Sequence, residues 1–232
     1  MTTPSLDPGT RRFGRAHVAR LAGWFLVTGV PLFVFGSLAE DVWTAEGFAW
    51  DAPILRALHR FSSPAHDRLM IMASALVMWL LLPVVLVALV LLLRRGLRSR
   101  AIFLAFALGG GEVLNLGAKL LFHRTRPSLW LSPTPETTFS FPSGHAMGSA
   151  VMVAALVVLA WRTRWRWAVA VPGTLVVLLV GVSRVYLGVH YPSDVVGAWA
   201  AAVLWVSGCA TVFRRALRVP EPVAGEARQR AA

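Results

Sequence analysis

An all-α polytopic membrane protein, built as a bundle of six transmembrane helices, is the fold class this sequence predicts. Three observations carry the prediction. Of its 232 residues 56% are hydrophobic and only 15% charged, where an ordinary soluble domain carries roughly a quarter charged residues. Apolar stretches recur at about 20 residues, the length a helix needs to cross a bilayer. Arginine clusters fall between alternate stretches, as membrane topology requires.

Taken in order, the spans cover 18–38, 69–93, 101–122, 144–161, 167–187 and 194–213. Pro31, Pro83 and Pro172 lie inside spans, where packed neighbours can satisfy a freed carbonyl. The run Gly109-Gly110-Gly111 in the third span marks a close helix approach. Ahead of the first span, residues 1–17 form a polar tail with no apolar core of a signal peptide. Residues 214–232 form a second tail, and its Ala/Gly/Arg/Gln-rich part after Pro220 has the composition of a disordered segment. The whole forms one membrane domain over 18–213.

Positive charge orients the weave. Arg11, Arg12, Arg15 and Arg20 precede the first span; Arg94, Arg95, Arg98 and Arg100 join the second to the third. Arg162, Arg164 and Arg166 join the fourth to the fifth, and Arg214, Arg215 and Arg218 follow the sixth. All four clusters share one side, so that side and both termini are expected to be cytoplasmic. The net charge of +12 therefore reads as topology, not as a nucleic-acid footprint, and the bilayer is the expected partner. Trp161, Trp165 and Trp167 fit an interfacial aromatic belt. Cys209, the lone cysteine, lies in an apolar run, which excludes a disulfide framework and a thiolate metal cluster. The outer segment 39–68, with Trp43, Trp50, Leu55 and Leu58, fits either an amphipathic stretch on the membrane surface or a covering loop.

Some residues break this pattern. Lys119, His123, Arg124 and Arg126 are basic yet fall on the outer side, and Arg184 sits near the outer end of the fifth span, where a charge is costly unless partnered or functional. His145, His190 and Asp194 fall at outer helix ends too. All of them gather at one depth. Lys119 is also the only lysine; the other 22 of the 23 Lys and Arg residues are arginine. That bias suggests a position suited to a compact ammonium rather than a planar fork. His17, His59 and His66 read as structural.

Spacing turns the anomalies into motifs. The first runs Lys119-Leu-Leu-Phe-His-Arg-Thr-Arg126-Pro127, the second Phe141-Pro142-Ser143-Gly144-His145, and the third Ser183-Arg184 through His190-Tyr-Pro-Ser-Asp194. In order and spacing these three resemble the motifs of the type-2 phosphatidic acid phosphatase superfamily, whose membrane members are lipid phosphate phosphatases. The resemblance implies a lipid phosphate monoester or diphosphate as substrate, and the arginine clusters put the expected active site at the outer membrane face. Polyprenyl diphosphate, phosphatidylglycerophosphate and phosphatidic acid all fit.

The residue types suit that chemistry. A transferring phosphoryl group is helped mainly by positioning and by fixed positive charge, which Lys119, Arg126 and Arg184 supply. Ser143 and Gly144 open the fourth span, where free backbone N–H groups favour an anion. The resemblance makes His190 the nucleophile that forms a phosphohistidine and Asp194 the acceptor that orients its ring. His145 is then the acid for the leaving group and later the base for water. Such transfer needs no metal and no cofactor. Glu112, Asn115 and Lys119 share a helix face, which fits support of Lys119 or plain burial. Headgroup contact and plain surface are equally open for His123 and Arg124. Ser183 reads as a supporting hydrogen bonder, and Tyr191 and Pro192 as shapers of the turn into the sixth span.

Other classes compete. A lipid phosphotransferase would pass the phosphoryl group to an alcohol. Vanadium-dependent haloperoxidases share the motif set but are soluble, against six apolar spans. A non-enzymatic membrane protein would have no use for intact motifs. The orientation is testable with Cys209 as the only background thiol. A membrane-impermeant thiol reagent on intact cells should label a Ser132→Cys variant and leave Ser99→Cys unlabelled; the reverse pattern would overturn the topology.

Overall fold

The computed structural model of the chain describes residue 18 and residues 21–218. The expected N-terminal tail with Arg11, Arg12 and Arg15, the cation Arg20 and the tail from residue 219 onward lie outside the described residues. Helices α1 (Leu21–Trp43), α2 (Asp51–His59), α3 (Pro64–Leu76), α4 (Leu82–Arg94), α5 (Arg98–Phe122), α6 (Gly144–Ala160), α7 (Arg166–Tyr186), α8 (Pro192–Val212) and α9 (Arg214–Arg218) follow in order. No strand occurs among the described residues.

Four of these helices, α1, α5, α7 and α8, are long and apolar enough to cross a bilayer, and α3 with α4 makes a fifth if the pair counts as one span. α6 is apolar but has only 17 residues. Large apolar side chains such as Trp24, Phe33, Trp79, Leu120 and Leu175 are exposed, far beyond the scattered apolar surface of a soluble monomer. In a helix all backbone polar groups are satisfied within the segment, which makes such a surface compatible with lipid.

The second span, expected as one helix over 69–93, is bent. It bends by 44° between α3 and α4, where Val77–Leu81 forms a π-turn. Pro83 follows two residues later. Its ring has no N–H and crowds the carbonyl four residues back, so the chain slips locally to wider hydrogen-bonded turns. α1 repeats the pattern, with a π-turn at Phe25–Gly29 and Pro31 two residues on. Residues 214–218, assigned above to the tail, form α9, which packs on α5 and α8.

α6 sits centrally, packed against α5, α7 and α8, while α1 lies on α8 and α3 on α7. Phe103, Leu104, Ala107, Ala146, Val151, Ala155, Ala198 and Val206 form the heart of the core. In the segment 39–68, α2 buries Leu55 and Asp51 against α7 and α8, while Trp43 and Trp50 stay exposed. Alternation of the helices puts the ends of α5 and α7 at the same pole as the starts of α6 and α8. Arg94, Arg95, Arg98, Arg100, Arg162, Arg164 and Arg166 lie at the opposite pole.

The glycine run is tightest at Gly110, with Gly111 next, where a Cβ would stand 3.1 Å from Val151 Cγ2. A Cβ on Gly110 would stand 2.2 Å from Cζ2 of Trp205, whereas one on Gly109 would meet nothing within 4 Å. Trp205 is held by an Nε1–H bond of 2.7 Å to the Ala107 carbonyl. Gly110→Ala should therefore destabilise the bundle by about 1–3 kcal/mol, the usual cost of overpacking. Gly109→Ala should be neutral or slightly stabilising, since alanine is the better helix former. Thermal unfolding of both variants in detergent checks the contrast.

Candidate active site

Helix boundaries bring the three motifs to one pole. α5 ends because His123 adopts a left-handed conformation, φ 47°, and Lys119 is left in its last turn. The loop 123–143 carries Arg126 back over the bundle. Ser143, with extended backbone, precedes α6 and its side chain makes no capping bond, so the first-turn N–H groups of α6 keep their donor capacity. Arg184 lies in the last turn of α7, His190 in the turn that follows, and Asp194 in the first turn of α8.

His190 is fully buried, and its two nitrogens face different groups. Nε2 lies 3.0 Å from Arg126 Nη1. A guanidinium can only donate, so Nε2 is the acceptor and the ring proton belongs on Nδ1. Nδ1 faces Asp194 Oδ2 at 3.5 Å, longer than a good hydrogen bond. The pair is in register for one if the ring shifts slightly. This tautomer leaves a lone pair on the nitrogen that points into the site.

Arg126 is fixed by many bonds. Nε donates to the Thr138 carbonyl at 2.6 Å, Nη1 to the Val189 carbonyl at 2.8 Å, and Nη2 to Thr138 Oγ1 at 2.9 Å. Lys119 Nζ donates to the Phe139 carbonyl, which Arg126 Nη2 also reaches at 3.2 Å; an ammonium has two further N–H groups to offer. Arg184 Nη1 donates to Ser74 Oγ at 2.5 Å. Its buried Nε has no hydrogen-bond partner, and neither does the buried hydroxyl of Ser143.

At the convergence of these groups lies a residue the sequence reading missed. Glu136 Oε2 is 2.7 Å from Arg126 Nη2 and 3.7 Å from His190 Nε2. Its Oε1 pairs with Arg184 Nη2 and stands 3.9 Å from His145 Nδ1. Burial alone would raise the Glu136 carboxyl, but the Arg184 and Arg126 guanidiniums beside it hold it well below the usual carboxylate range. One signal was available: Glu136 is the only acidic residue in the loop 123–143. A cavity of about 330 Å³ runs from Glu136, His145 and Arg184 to Ile71, Ala75 and Trp79 beside the α3–α4 bend.

Residues 100–218 match the model of the PAP2 superfamily. The chain belongs to this superfamily. It is 38% identical over 86 residues to an undecaprenyl-diphosphatase of Sulfolobus acidocaldarius, covering 37% of this chain and 38% of that protein. It is 36% identical over 101 residues to phosphatidylglycerophosphatase B of Bacillus subtilis, covering 41% and 49%. The matched stretches thus span less than half the length of these relatives. Its fold matches the crystal structure of a transmembrane PAP2-type phosphatidylglycerolphosphate phosphatase from Bacillus subtilis, with a TM-score of 0.71 and 25% identity over 82% of this chain and 98% of that one.

Beneath the site this PAP2 chain has a second buried network that the motifs did not reveal. Arg124 Nη1 donates to Asp194 Oδ1 at 2.5 Å and to Ser193 Oγ at 2.7 Å, while Nη2 pairs with Asp51 Oδ2 at 2.9 Å. Its guanidinium lies over the Tyr191 ring at 4.2 Å. Neither headgroup contact nor plain surface describes Arg124; it ties α2 to α8. Asp51 also accepts from the Ser193 N–H and hydroxyl at 2.9 and 2.6 Å.

His123 packs edge-on against Phe139. Asn115 donates to the Pro142 carbonyl at 3.3 Å, so it supports the Gly144 turn rather than Lys119, and Glu112 is exposed. A Cβ on Gly144 would stand 3.2 Å from Asn115 Oδ1, the close approach that glycine permits. Ser183 bonds its own helix at the Val180 carbonyl, 2.7 Å away. Tyr191 caps α8.

Breaking a buried ion pair by removing one partner typically costs about 3–5 kcal/mol. Arg124→Ala should fall in that range on thermal unfolding in detergent. Arg124→Lys should recover only part of the loss, because a single ammonium cannot hold both carboxylates in the fork geometry.

Proposed function

We propose that this chain is a membrane-embedded phosphatase that removes a terminal phosphate from a lipid monoester or diphosphate through a phosphohistidine at His190. The observation that carries the reading is the convergence of the two histidines and two arginines on one anion. His190 Nε2 and His145 Nδ1 lie 3.7 and 3.9 Å from the two oxygens of a single carboxylate that Arg126 and Arg184 also hold. A phosphoryl group seated there would have a nucleophile on one side and a proton carrier on the other.

Each step then has a group. The Nε2 lone pair of His190 attacks phosphorus, and Asp194 stabilises the imidazolium that develops. His145, with its side chain 39% exposed, has access to the leaving oxygen and later to water, as an acid and then a base must. Arg126, Arg184, Lys119, the Ser143 hydroxyl and the Gly144 amide offer donors to the equatorial oxygens. The six-span reading puts this pole on the outer face. α6, at 17 residues, is about 25 Å long, at the short end for a crossing. Ile71 and Trp79, both exposed, give the 330 Å³ cavity an apolar edge suited to a lipid tail. The names of the relatives favour polyprenyl diphosphate and phosphatidylglycerophosphate as substrates.

Purified protein in detergent should release phosphate from at least one of these lipids. The roles separate with an aryl phosphate, whose good leaving group needs little protonation. With labelled substrate and an alkaline quench, His190→Ala should show neither turnover nor label. His145→Ala should turn over about 10²–10⁴-fold more slowly and accumulate label. Label on His190→Ala but not on His145→Ala would reverse the assignment.

A further inference from the structure

Any anion that reaches His190 must first break the contacts of Glu136. One carboxylate spans the two histidines and holds an oxygen on each of two arginines. Carboxylates and phosphates present comparable edges to an arginine fork, so Glu136 and an arriving phosphate compete for the same donors. The competition is intramolecular, which gives Glu136 a high effective concentration. Its backbone is held close by: Thr138 and Phe139 have their carbonyls bound by Arg126 and Lys119, and Pro133 and Pro135 precede it. The side chain is 26% exposed and borders the cavity, so it can leave the arginines by rotating.

Resting on the phosphatase reading above, we propose that Glu136 is an intramolecular competitor that occupies the phosphate donors and so keeps the phosphodiester headgroups of the surrounding bilayer out of the catalytic site. A phosphodiester carries one negative charge, the same as Glu136. A phosphate monoester or a diphosphate end carries more at neutral pH, since its second ionisation lies near pH 6. The Glu136 contact weakens every anion by the same factor, because each must find the open arrangement. A uniform penalty leaves the ratio of affinities unchanged, and the preference itself comes from the cations, but the penalty can still empty the site of diester. It lifts the dissociation constant of a weakly held diester above the concentration of headgroups beside the site. The doubly charged end, attracted more strongly by Lys119, Arg126 and Arg184, still binds.

Calorimetric titration of the full chain in uncharged detergent tests this without relying on turnover. The probes are orthovanadate and dibutyl phosphate, and the variant is Glu136→Gln, which keeps the shape and removes the charge. Both probes should bind Glu136→Gln about tenfold or more tightly than wild type, by similar factors, as expected when the open arrangement is roughly a tenth populated or less. Adding phosphatidylglycerol to the micelles should weaken orthovanadate binding to Glu136→Gln and leave wild type unchanged. If Glu136 instead serves to hold the arginines in place, both probes would bind the variant more weakly, and that result, or no change, overturns the proposal. Should Glu136→Gln fail to fold, Glu136→Asp replaces it: one methylene shorter, it cannot span both arginines, and both probes should again tighten. A wild type that binds orthovanadate but releases phosphate from no lipid sinks the phosphatase reading, and the Glu136 comparison still stands or falls on the titrations.

Discussion

A carboxylate with no exposure to water has to engage its lone pairs inside the protein, and Asp194 does so with partners from distant parts of the chain. Arg124 reaches it from the start of the loop 123–143, Ser140 from the end of that loop, and the Tyr191 N–H from its own helix start. Arg124 also carries Asp51, which brings in α2. Desolvating these ions is expensive, and only the completeness of the network offsets it. Because Asp194 also faces His190, the network that stabilises this pole borders the ring proposed above as the nucleophile. The loop cannot drift without breaking bonds to Asp194.

A division of labour follows between two layers of charge. The lower layer, Asp51, Arg124, Ser193 and Asp194, pairs its charges within itself and is largely buried. The upper layer has three cations, Lys119, Arg126 and Arg184, facing a single carboxylate. The excess of positive charge there is what an anionic substrate would neutralise. Arg184 Nε and Ser143 Oγ, buried without partners, are unspent donors at its edge. Such incompleteness is costly for stability, and a cleft that handles phosphate is a place where that cost has a use.

Much of this was legible in the sequence, for identifiable reasons. The helices were, because apolar length is dictated by bilayer thickness, and α5 to α8 begin within three residues of the expected positions. The gathering of Lys119, Arg126, His145, Arg184, His190 and Asp194 at one pole followed from the alternation of spans. What escaped were pairings between residues far apart in sequence: Arg124 with Asp51 is separated by 73 positions, and no local periodicity encodes it. Glu136 escaped because a lone glutamate in a polar loop looks like solvated surface. The α3–α4 bend escaped because the effect of Pro83 depends on how its neighbours rearrange, and Pro172 sits inside α7 without a π-turn.

The interlock of Gly110 with Trp205 also constrains how the sequence can change over time. The indole occupies the volume a side chain at 110 would need, and its own N–H is committed to the Ala107 carbonyl. Neither position can be altered first without loss: a larger residue at 110 collides, and a smaller one at 205 leaves a void and forfeits the indole bond to the Ala107 carbonyl. Descendants of this chain are therefore expected to keep the two residues or exchange them together. An alignment of close relatives would show 110 and 205 as a covarying pair, although 95 positions separate them in the chain.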